Sequence, residues 1–251
     1  QIQLTKKLLN DVKICFSLLT IIPVGKINFN NNLLSGACWA FSLCGFFISS
    51  VSFVILYVLL EIGFSIYIAS IFFILTNIIL SGGIHEDGLA DFTDGMFGGK
   101  NIERRLKIMS DSSIGVFGTM AIVISILLKF VSISQLNVNS STYLYLILIS
   151  MSSRYLMLFL LKFLKPLKTS GLGGTYKISN YSTLITGFIP ICILLIVLNY
   201  FGLIIFIVML ISCFIFMLII SVFVKGQTGD ICGASQQITE LNGFLILTII
   251  I

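Results

Sequence analysis

Apolar stretches of membrane-spanning length, separated by short polar segments, make up most of this chain. A transmembrane helix needs about 20 consecutive apolar residues to cross the hydrocarbon core. The stretches that reach or approach this length lie at residues 33–60, 64–80, 114–131, 143–161, 184–224 and 241–251, the last preceded by a helical pattern from Ile231. The stretch 184–224 is too long for one crossing, and the turn-forming segment Asn199-Tyr200-Phe201-Gly202 divides it. The pattern therefore predicts an all-α polytopic membrane protein with about six to seven transmembrane helices.

The N-terminal segment differs from the others because its apolar part is too short to span a bilayer. Residues 14–24 are apolar, Lys13 precedes them, and Pro23-Val24-Gly25 ends them. Apolar segments of this length enter a membrane part of the way or lie at its surface. We therefore expect a short N-terminal re-entrant or interfacial helix, followed by the spans, in a single integral-membrane domain covering residues 1–251.

Composition and charge support a membrane protein and indicate its orientation. The chain is 57% hydrophobic and only 10% charged, whereas soluble domains carry about 25% charged residues. Thirteen of its fifteen basic residues lie before the first predicted span or after the second, fourth and sixth, the exceptions being Lys129 and Arg154. The positive-inside rule places those segments in the cytoplasm. Topology thus accounts for the net charge of +5, so we expect a multi-pass protein of the cytoplasmic membrane and no nucleic-acid partner.

One short segment, residues 81–113, holds six of the ten acidic residues and the only histidine, His85. If the segment is helical, Asp87, Asp91 and Asp94 recur at i, i+4 and i+7 and share one face. Like charges at this spacing repel each other, and a bound cation removes the repulsion. Oxygen ligands favour Mg²⁺, which keeps several waters and often binds substrate phosphates as well. A loop of solvated carboxylates is the alternative interpretation.

A second polar segment, residues 225–240, is predicted to lie on the same cytoplasmic side. It carries Asp230 and Glu240, and its glycines at 226, 229 and 233 suit a tight turn that enters a helix. The amides at the start of such a helix can hold an anion. An ordinary loop with a helix cap gives the same pattern.

Three further polar features admit two interpretations each. Arg154 lies inside a span, where it needs a carboxylate or phosphate partner unless its side chain extends to the cytoplasmic edge. The basic, glycine-rich residues 168–174 suit a phosphate but are also typical of connecting loops. His85 could act as a base, although a lone histidine more often only makes hydrogen bonds.

Five segments, in order along nearly the whole chain, carry a resemblance to a known family. They are Gly83-x-His85-x-Asp87-Gly88-Leu89-Ala90-Asp91-x-x-Asp94-Gly95, Arg104-Arg105-Leu106-x-Ile108-Met109-x-Asp111-Ser112-x-Ile114-Gly115-x-Phe117-Gly118, Ser153-Arg154, Gly171-Leu172-Gly173 and Thr228-Gly229-Asp230-x-x-Gly233-Ala234. These strings resemble the cobalamin synthase family, the adenosylcobinamide-GDP ribazoletransferases. The resemblance implies a polytopic inner-membrane enzyme that joins adenosylcobinamide-GDP to α-ribazole or its 5′-phosphate, uses Mg²⁺ and releases GMP.

The resemblance also implies roles for individual residues in a single catalytic domain. The Mg²⁺ ligands would be Asp87, Asp91 and Asp94, with Asp230 as a further ligand or as support for one. The groups that bind the substrate and its phosphates would be Arg104, Arg105, Arg154, Lys168, Gly171, Gly173, Thr228 and Gly229. Catalytic contributions are expected from His85 and Glu240, which could orient the attacking hydroxyl, and from Asp91. A homo-oligomer remains open.

Other functions fit parts of the pattern. A CDP-alcohol phosphotransferase also uses clustered aspartates in a membrane pocket, but that family expects Arg after the Ala of its DGxxAR string, and here Asp91 follows Ala90. Prenyltransferases with aspartate-rich helices are another enzyme class. An ion-coupled transporter should carry polar groups near mid-bilayer on several spans, whereas Arg154 is expected to be almost alone there.

Overall fold

The computed structural model describes residues 2–25, 27, 31–167, 178 and 180–250 as a helical bundle. Its α-helices are α1 (Ile2–Leu19), α2 (Asn31–Ala37), α3 (Phe41–Glu61), α4 (Ile66–Ser81), α5 (Ile84–Gly98), α6 (Ile102–Met109), α7 (Val116–Ser134), α8 (Ser140–Phe163), α9 (Tyr181–Phe223) and α10 (Gly229–Ile250). A single 3₁₀ turn, Cys38–Ala40, joins α2 to α3. The predicted all-α class is therefore confirmed.

The long helices of the bundle are apolar enough to cross a membrane. Within the described residues these are Leu34–Glu61, Val116–Ser134, Ser140–Phe163 and Tyr181–Phe223, and the bent pair α4–α5 is a fifth candidate. The most apolar stretch of α8 is 89% buried, against 28–33% in the other three. The chain is thus a polytopic membrane protein in which α8 runs through the centre and the other spans present apolar side chains outward.

Helix α9 is a hairpin of two antiparallel arms. Asn199 adopts a non-helical conformation with φ 52° and ψ −143°. The rings of Phe188 and Phe206, one on each arm, lie 5.3 Å apart, whereas eighteen residues of straight helix would separate them by about 27 Å. The predicted division at residues 199–202 is confirmed. If the bent pair counts as one span and the α9 arms as two, the described helices make six crossings, and α10 is the candidate seventh.

A sharp bend between α4 and α5 turns the acidic helix across the bundle. The two helix axes differ by 87°, and the turn consists of Gly82 and Gly83, with φ of 67° and 69°. Any residue with a Cβ is strained in the left-handed region, and here two successive residues adopt it, so this turn requires glycine. The bend directs α5 away from the line of α4 and onto α10.

Helix α1 is longer than the expected N-terminal helix and is displaced along the chain. It spans Ile2–Leu19, and residues 20–25 are not helical, so the expected apolar helix at 14–24 is wrong in its bounds. Its side chains at 5–10 are exposed, while Ile14, Cys15 and Leu19 are buried. The indole of Trp39 donates a 3.1 Å hydrogen bond to Asp11 and holds α1 against the 3₁₀ turn. The exposed first half with a buried second half agrees with a position at the membrane surface.

Candidate active site

The acidic segment forms one helix, α5, as its aspartate spacing predicts. Asp87, Asp91 and Asp94 follow one another along a common face. Their environments differ, because Asp87 is exposed, Asp91 is half-buried and Asp94 is buried. The three carboxylates are therefore not equivalent, although the sequence pattern treats them alike.

Asp94 binds the start of α7. One of its carboxylate oxygens accepts a 2.7 Å hydrogen bond from the Gly115 amide, and the other accepts a 2.9 Å bond from the Gly118 amide. The first amides of a helix lack partners within the helix, and a carboxylate there satisfies them and opposes the helix dipole. This contact gives Asp94 a structural role, and its contact with a metal stays a prediction.

The closest approach between α5 and α10 brings the two predicted acidic segments together. A Cβ added to Gly88 would lie 2.7 Å from the Asp230 carbonyl oxygen, and one added to Gly233 would lie 3.1 Å from that of Ile84. Only glycine allows backbones this close. The helices therefore cross at a fixed point, with Asp87 on one side of the crossing and Asp230 on the other.

A cavity of about 360 Å³ opens beside this crossing, and we call it the Asp87 cavity. Its polar lining includes His85, Asp87, Asp230 and Gly229. Its apolar lining includes residues of α1, α3 and α8, namely Leu18, Leu19, Phe41, Met157 and Leu161. A site with a polar floor and apolar walls can orient a charged group while it holds an apolar one.

His85 lines the Asp87 cavity but is almost entirely buried. Its Nε2 atom is shielded from solvent and has no hydrogen-bond partner among the described residues. Buried polar atoms in native proteins usually have a partner. An unsatisfied ring nitrogen in the lining of a cavity is consistent with the predicted role in holding a substrate hydroxyl.

The segment before Asp230 forms the predicted turn into a helix. Helix α10 begins at Gly229, and the Thr228 hydroxyl accepts a hydrogen bond from the Ile231 amide at 3.3 Å. The Thr228 hydroxyl also lies 3.3 Å from the Asp230 carboxylate. Thr228 thus caps α10 and fixes Asp230, and its predicted contact with substrate stays a prediction.

The two arginines of α6 lie away from the lining of the Asp87 cavity. Arg105 donates to the carbonyl of Gly99 at 3.0 Å and to that of Phe223 at 2.8 Å, and its guanidinium lies 5.3 Å from the Phe223 ring centre. These contacts connect α6 to the end of α9. Arg104 is exposed and free to reach a phosphate outside the cavity.

A second, more open concavity of about 340 Å³ lies at the other end of α5. Its lining includes Asp94, which binds α7, and Asp111 in the loop before α7. Hydrogen bonds from the Ser113 hydroxyl and amide to its carboxylate lower the pKa of Asp111. Asp94 and Asp111 both accept hydrogen bonds from backbone amides at or before the start of α7. The Asp87 cavity is the better candidate for a reaction site, because Asp87 is exposed there and His85 has a ring nitrogen without a partner among the described residues.

Arg154 has a carboxylate partner inside the bundle. It is 2% exposed, and its Nη1 lies 3.2 Å from the carboxylate of Glu240. The other oxygen of Glu240 lies 2.7 Å from Nζ of Lys129. The alternative in which Arg154 extends to the cytoplasmic edge is therefore wrong. We call these three residues the buried charge cluster.

The cluster lies deep in the membrane-spanning part. Glu240 is eleven residues from the start of α10, which corresponds to about 16 Å of helix. The expectation that all of residues 225–240 lie on the cytoplasmic side is wrong, because the predicted helix begins at Gly229, two residues before Ile231, and already includes Glu240. Lys129, which the sequence analysis set aside as an exception, is the missed partner. The indication was already there, since an unexplained lysine in an apolar stretch requires an anion.

The structure does not describe some of the predicted site residues, and within the part it describes the predicted Mg²⁺ ligands do not all come together. Lys168, Gly171 and Gly173 fall outside the described residues. Within the described part of the chain, no three His, Cys, Asp or Glu side chains are grouped so that they could hold a metal ion. The structure brings Asp87 and Asp230 to one cavity, whereas Asp94 is hydrogen-bonded to the start of α7.

Comparisons with known proteins identify a family. The family model described as cobalamin-5-phosphate synthase matches residues 11–248. Relatives named adenosylcobinamide-GDP ribazoletransferase come from Clostridium kluyveri (32% identical, covering 98% of this chain and 99% of the relative), Shewanella halifaxensis (32%, 99% and 98%) and Mesorhizobium japonicum (29%, 97% and 95%). No solved structure matches the chain.

Proposed function

Because the chain belongs to the cobalamin-5-phosphate synthase family, we propose that it joins adenosylcobinamide-GDP to α-ribazole or α-ribazole 5′-phosphate and releases GMP. The reaction uses Mg²⁺ and takes place in the Asp87 cavity. Charge placement along the chain supports a position in the cytoplasmic membrane with this cavity open to the cytoplasm. The relatives' names indicate the two substrates, and the lining of the cavity supports it as the site.

The observation that carries the proposal is the meeting of Asp87 and Asp230 at one cavity. Mg²⁺ commonly binds through one or two carboxylates, several waters and substrate phosphates. Two carboxylates from two helices, one of them exposed, fit that pattern without a third protein ligand. Asp87 and Asp230 would hold the ion, and Asp91, on the same face of α5, lies one turn further along. When bound, Mg²⁺ neutralises negative charge on the pyrophosphate.

The reaction forms one bond to phosphorus and breaks another. The hydroxyl oxygen of α-ribazole attacks the phosphorus that carries cobinamide, and the bond from that phosphorus to the bridging oxygen breaks. GMP leaves with the bridging oxygen, and the hydroxyl proton passes to a nearby base. His85 lines the cavity and is the closest candidate to hold that hydroxyl. Glu240 is a weaker candidate than the sequence indicated, because it pairs with two buried cations.

The apolar wall of the cavity suits the aromatic base of the acceptor. The same cavity is lined by Leu18, Leu19, Met157 and Leu161 as well as by the two carboxylates. A corrin ring with its side chains is much larger than about 360 Å³, so it stays outside while its nucleotide arm enters. Arg104, exposed on α6, is positioned to meet phosphate or corrin amide groups at the surface.

Family membership favours this reaction over the alternatives. A CDP-alcohol phosphotransferase and an ion-coupled transporter both fit the acidic helix. Arg154 was expected to be almost alone in the membrane, which is wrong, because Lys129 and Glu240 are buried with it. A transporter is therefore not excluded on that ground, and the family match over residues 11–248 is what favours the transferase.

The test is GMP release by the purified protein in lipid vesicles. We expect GMP when adenosylcobinamide-GDP, α-ribazole 5′-phosphate and Mg²⁺ are all present, and none when the acceptor is left out or EDTA removes the metal. Glu61→Gln is a matched control, since Glu61 is exposed at the far end of α3, and it should keep the wild-type rate. A folded sample that releases no GMP would contradict the proposal.

A further inference from the structure

Two neighbouring residues at the start of α5 point in different directions. Asp87 lines the cavity, whereas Glu86 faces α10 and lines a separate space of about 10 Å³ among Asn77, Ser125 and Lys129. One oxygen of Glu86 accepts a 2.9 Å hydrogen bond from the side-chain amide of Gln237. The other oxygen is buried and has no partner among the described residues. The site described above makes no use of Glu86.

Gln237 joins Glu86 to the buried charge cluster. Its amide NH₂ donates to Glu86, and its amide oxygen accepts a 2.8 Å hydrogen bond from Nζ of Lys129. Lys129 pairs with Glu240, and Glu240 pairs with Arg154. The connected side chains belong to α5, α10, α7 and α8, so the start of the acidic helix is fastened to three other helices.

Charge balance explains why this connection is strong. Glu86 and Glu240 carry two negative charges, and Lys129 and Arg154 carry two positive ones, in surroundings with little water. Each charge would be costly there alone, and removal of one partner leaves another uncompensated. Loss of Glu86 therefore leaves the network with one excess positive charge and α5 without its polar contact to α10.

Because α5 is a regular helix, the restraint on Glu86 also limits the position of Asp87 at the cavity. Consecutive residues of an α-helix are separated by about 100° and a rise of about 1.5 Å. A helix held at Glu86 therefore has little freedom to turn or slide at Asp87. Glycine packing at Gly88 and Gly233 fixes how close the helices approach, and the Glu86 contact fixes the rotation of α5.

We propose that Glu86 is a positioning residue that acts through Gln237 to hold Asp87 opposite Asp230. The proposal rests on the function proposed above and adds a residue from outside the cavity to it. Misplacement of a reacting group by about 1 Å can lower a rate a hundredfold, so the contact matters for turnover. It acts on the position of a carboxylate and makes no contact with substrate.

Two replacements of Glu86 distinguish a positioning role from a direct part in the reaction. Glu86→Ala removes the acceptor, and we expect kcat to fall at least about tenfold while more Mg²⁺ is needed for half-maximal rate. Glu86→Gln keeps an oxygen for Gln237 but loses the charge, so its rate should lie between those of Glu86→Ala and wild type. If Gln lowers kcat as much as Ala while the hydrogen exchange of the α5 amides stays at the wild-type rate, the carboxylate itself takes part in the reaction and the proposal is wrong.

A double-mutant cycle tests whether Glu86 acts through Gln237. If it does, Glu86→Ala combined with Gln237→Ala should be no slower than the slower single variant. Losses that multiply would mean that the two residues act independently. Asn242→Ala is the control on the same helix. Among the described residues, the Asn242 side chain donates only to the Ile238 carbonyl of α10, so the variant should leave the rate unchanged.

Hydrogen exchange gives a readout that does not depend on activity. Amides of α5 should exchange at least about tenfold faster in Glu86→Ala than in wild type, while those of α3 and the Asn242→Ala control stay unchanged. If wild type releases no GMP, the proposed function fails, but exchange still decides whether Glu86 holds α5. Unchanged α5 exchange together with unchanged kcat in Glu86→Ala would overturn the proposal.

Discussion

Two groups of charged residues occupy this protein, and they differ in what their side chains face. In the buried charge cluster, Glu240 pairs with Lys129 and Arg154 inside the bundle, and the glutamines of α10 add further hydrogen bonds. In the Asp87 cavity, the lining includes Asp87, Asp230 and His85, whose Nε2 has no hydrogen-bond partner among the described residues. Charges whose partners lie within the protein stabilise the bundle, whereas charges that face a cavity are available to bind a metal or substrate.

The largest effect should come from breaking the buried charge cluster. Glu240→Ala leaves two buried cations without a carboxylate, which costs about 3–5 kcal/mol of stability. We expect little folded protein, measured as loss of the monodisperse peak and a lower thermal midpoint in detergent. A Glu240→Ala protein that folds normally and loses only GMP release would move Glu240 into the catalytic group.

For Asp87, in contrast, we expect a loss of activity without a loss of stability. Asp87→Asn keeps the size of an exposed side chain, so the thermal midpoint should stay unchanged. Loss of a metal-binding carboxylate should lower GMP release about a thousandfold, which corresponds to about 4 kcal/mol in the barrier. Wild-type turnover at saturating Mg²⁺ would remove Asp87 from the metal site.

Asp94 sharpens the comparison because it lies on the same helix as Asp87 but is hydrogen-bonded within the protein. Asp94→Asn keeps one acceptor oxygen but loses the charge and one of two bonds to the start of α7. We expect a loss of about 1–2 kcal/mol in unfolding free energy. Urea unfolding followed by tryptophan fluorescence measures it. An unchanged stability with abolished turnover would show instead that Asp94 binds the metal.

A small effect on stability is expected from loss of the hydrogen bond between Trp39 and Asp11, which holds α1 in place. Trp39→Phe removes the donor to Asp11 and should cost about 1 kcal/mol. GMP release should fall less than fivefold, because α1 contributes only apolar wall to the cavity. A loss comparable to that of Asp87→Asn would mean that α1 carries a group that reacts.

The sequence was sufficient for features that depend on local pattern. Uncharged length predicted the spans, the residues at 199–202 predicted the break in α9, and the aspartate spacing predicted the helix that became α5. These features follow from hydropathy, turn chemistry and helix periodicity within a short stretch. The family resemblance, which the comparisons confirm, depended on short strings in a fixed order.

Features that depend on distant contacts could not be predicted. The pairing of Lys129 with Glu240 requires α7 and α10 to be adjacent, and the binding of Asp94 to α7 requires α5 to approach its first turn. The spacing of these residues along the sequence does not show that either pair of helices is close in space. The position of α1 also escaped prediction, because charged and apolar residues alternate along it and its buried side is set by contact with the 3₁₀ turn.

The central claim is that α5 and α10 together form the reaction site, and Asp230→Asn tests it most directly. Asp230 comes from the helix that shares no sequence motif with the acidic segment, yet it lines the same cavity. The variant, folded and in lipid vesicles with Mg²⁺, adenosylcobinamide-GDP and α-ribazole 5′-phosphate, should release GMP at least about a hundredfold more slowly than wild type. GMP release at the wild-type rate would show that the reaction takes place elsewhere.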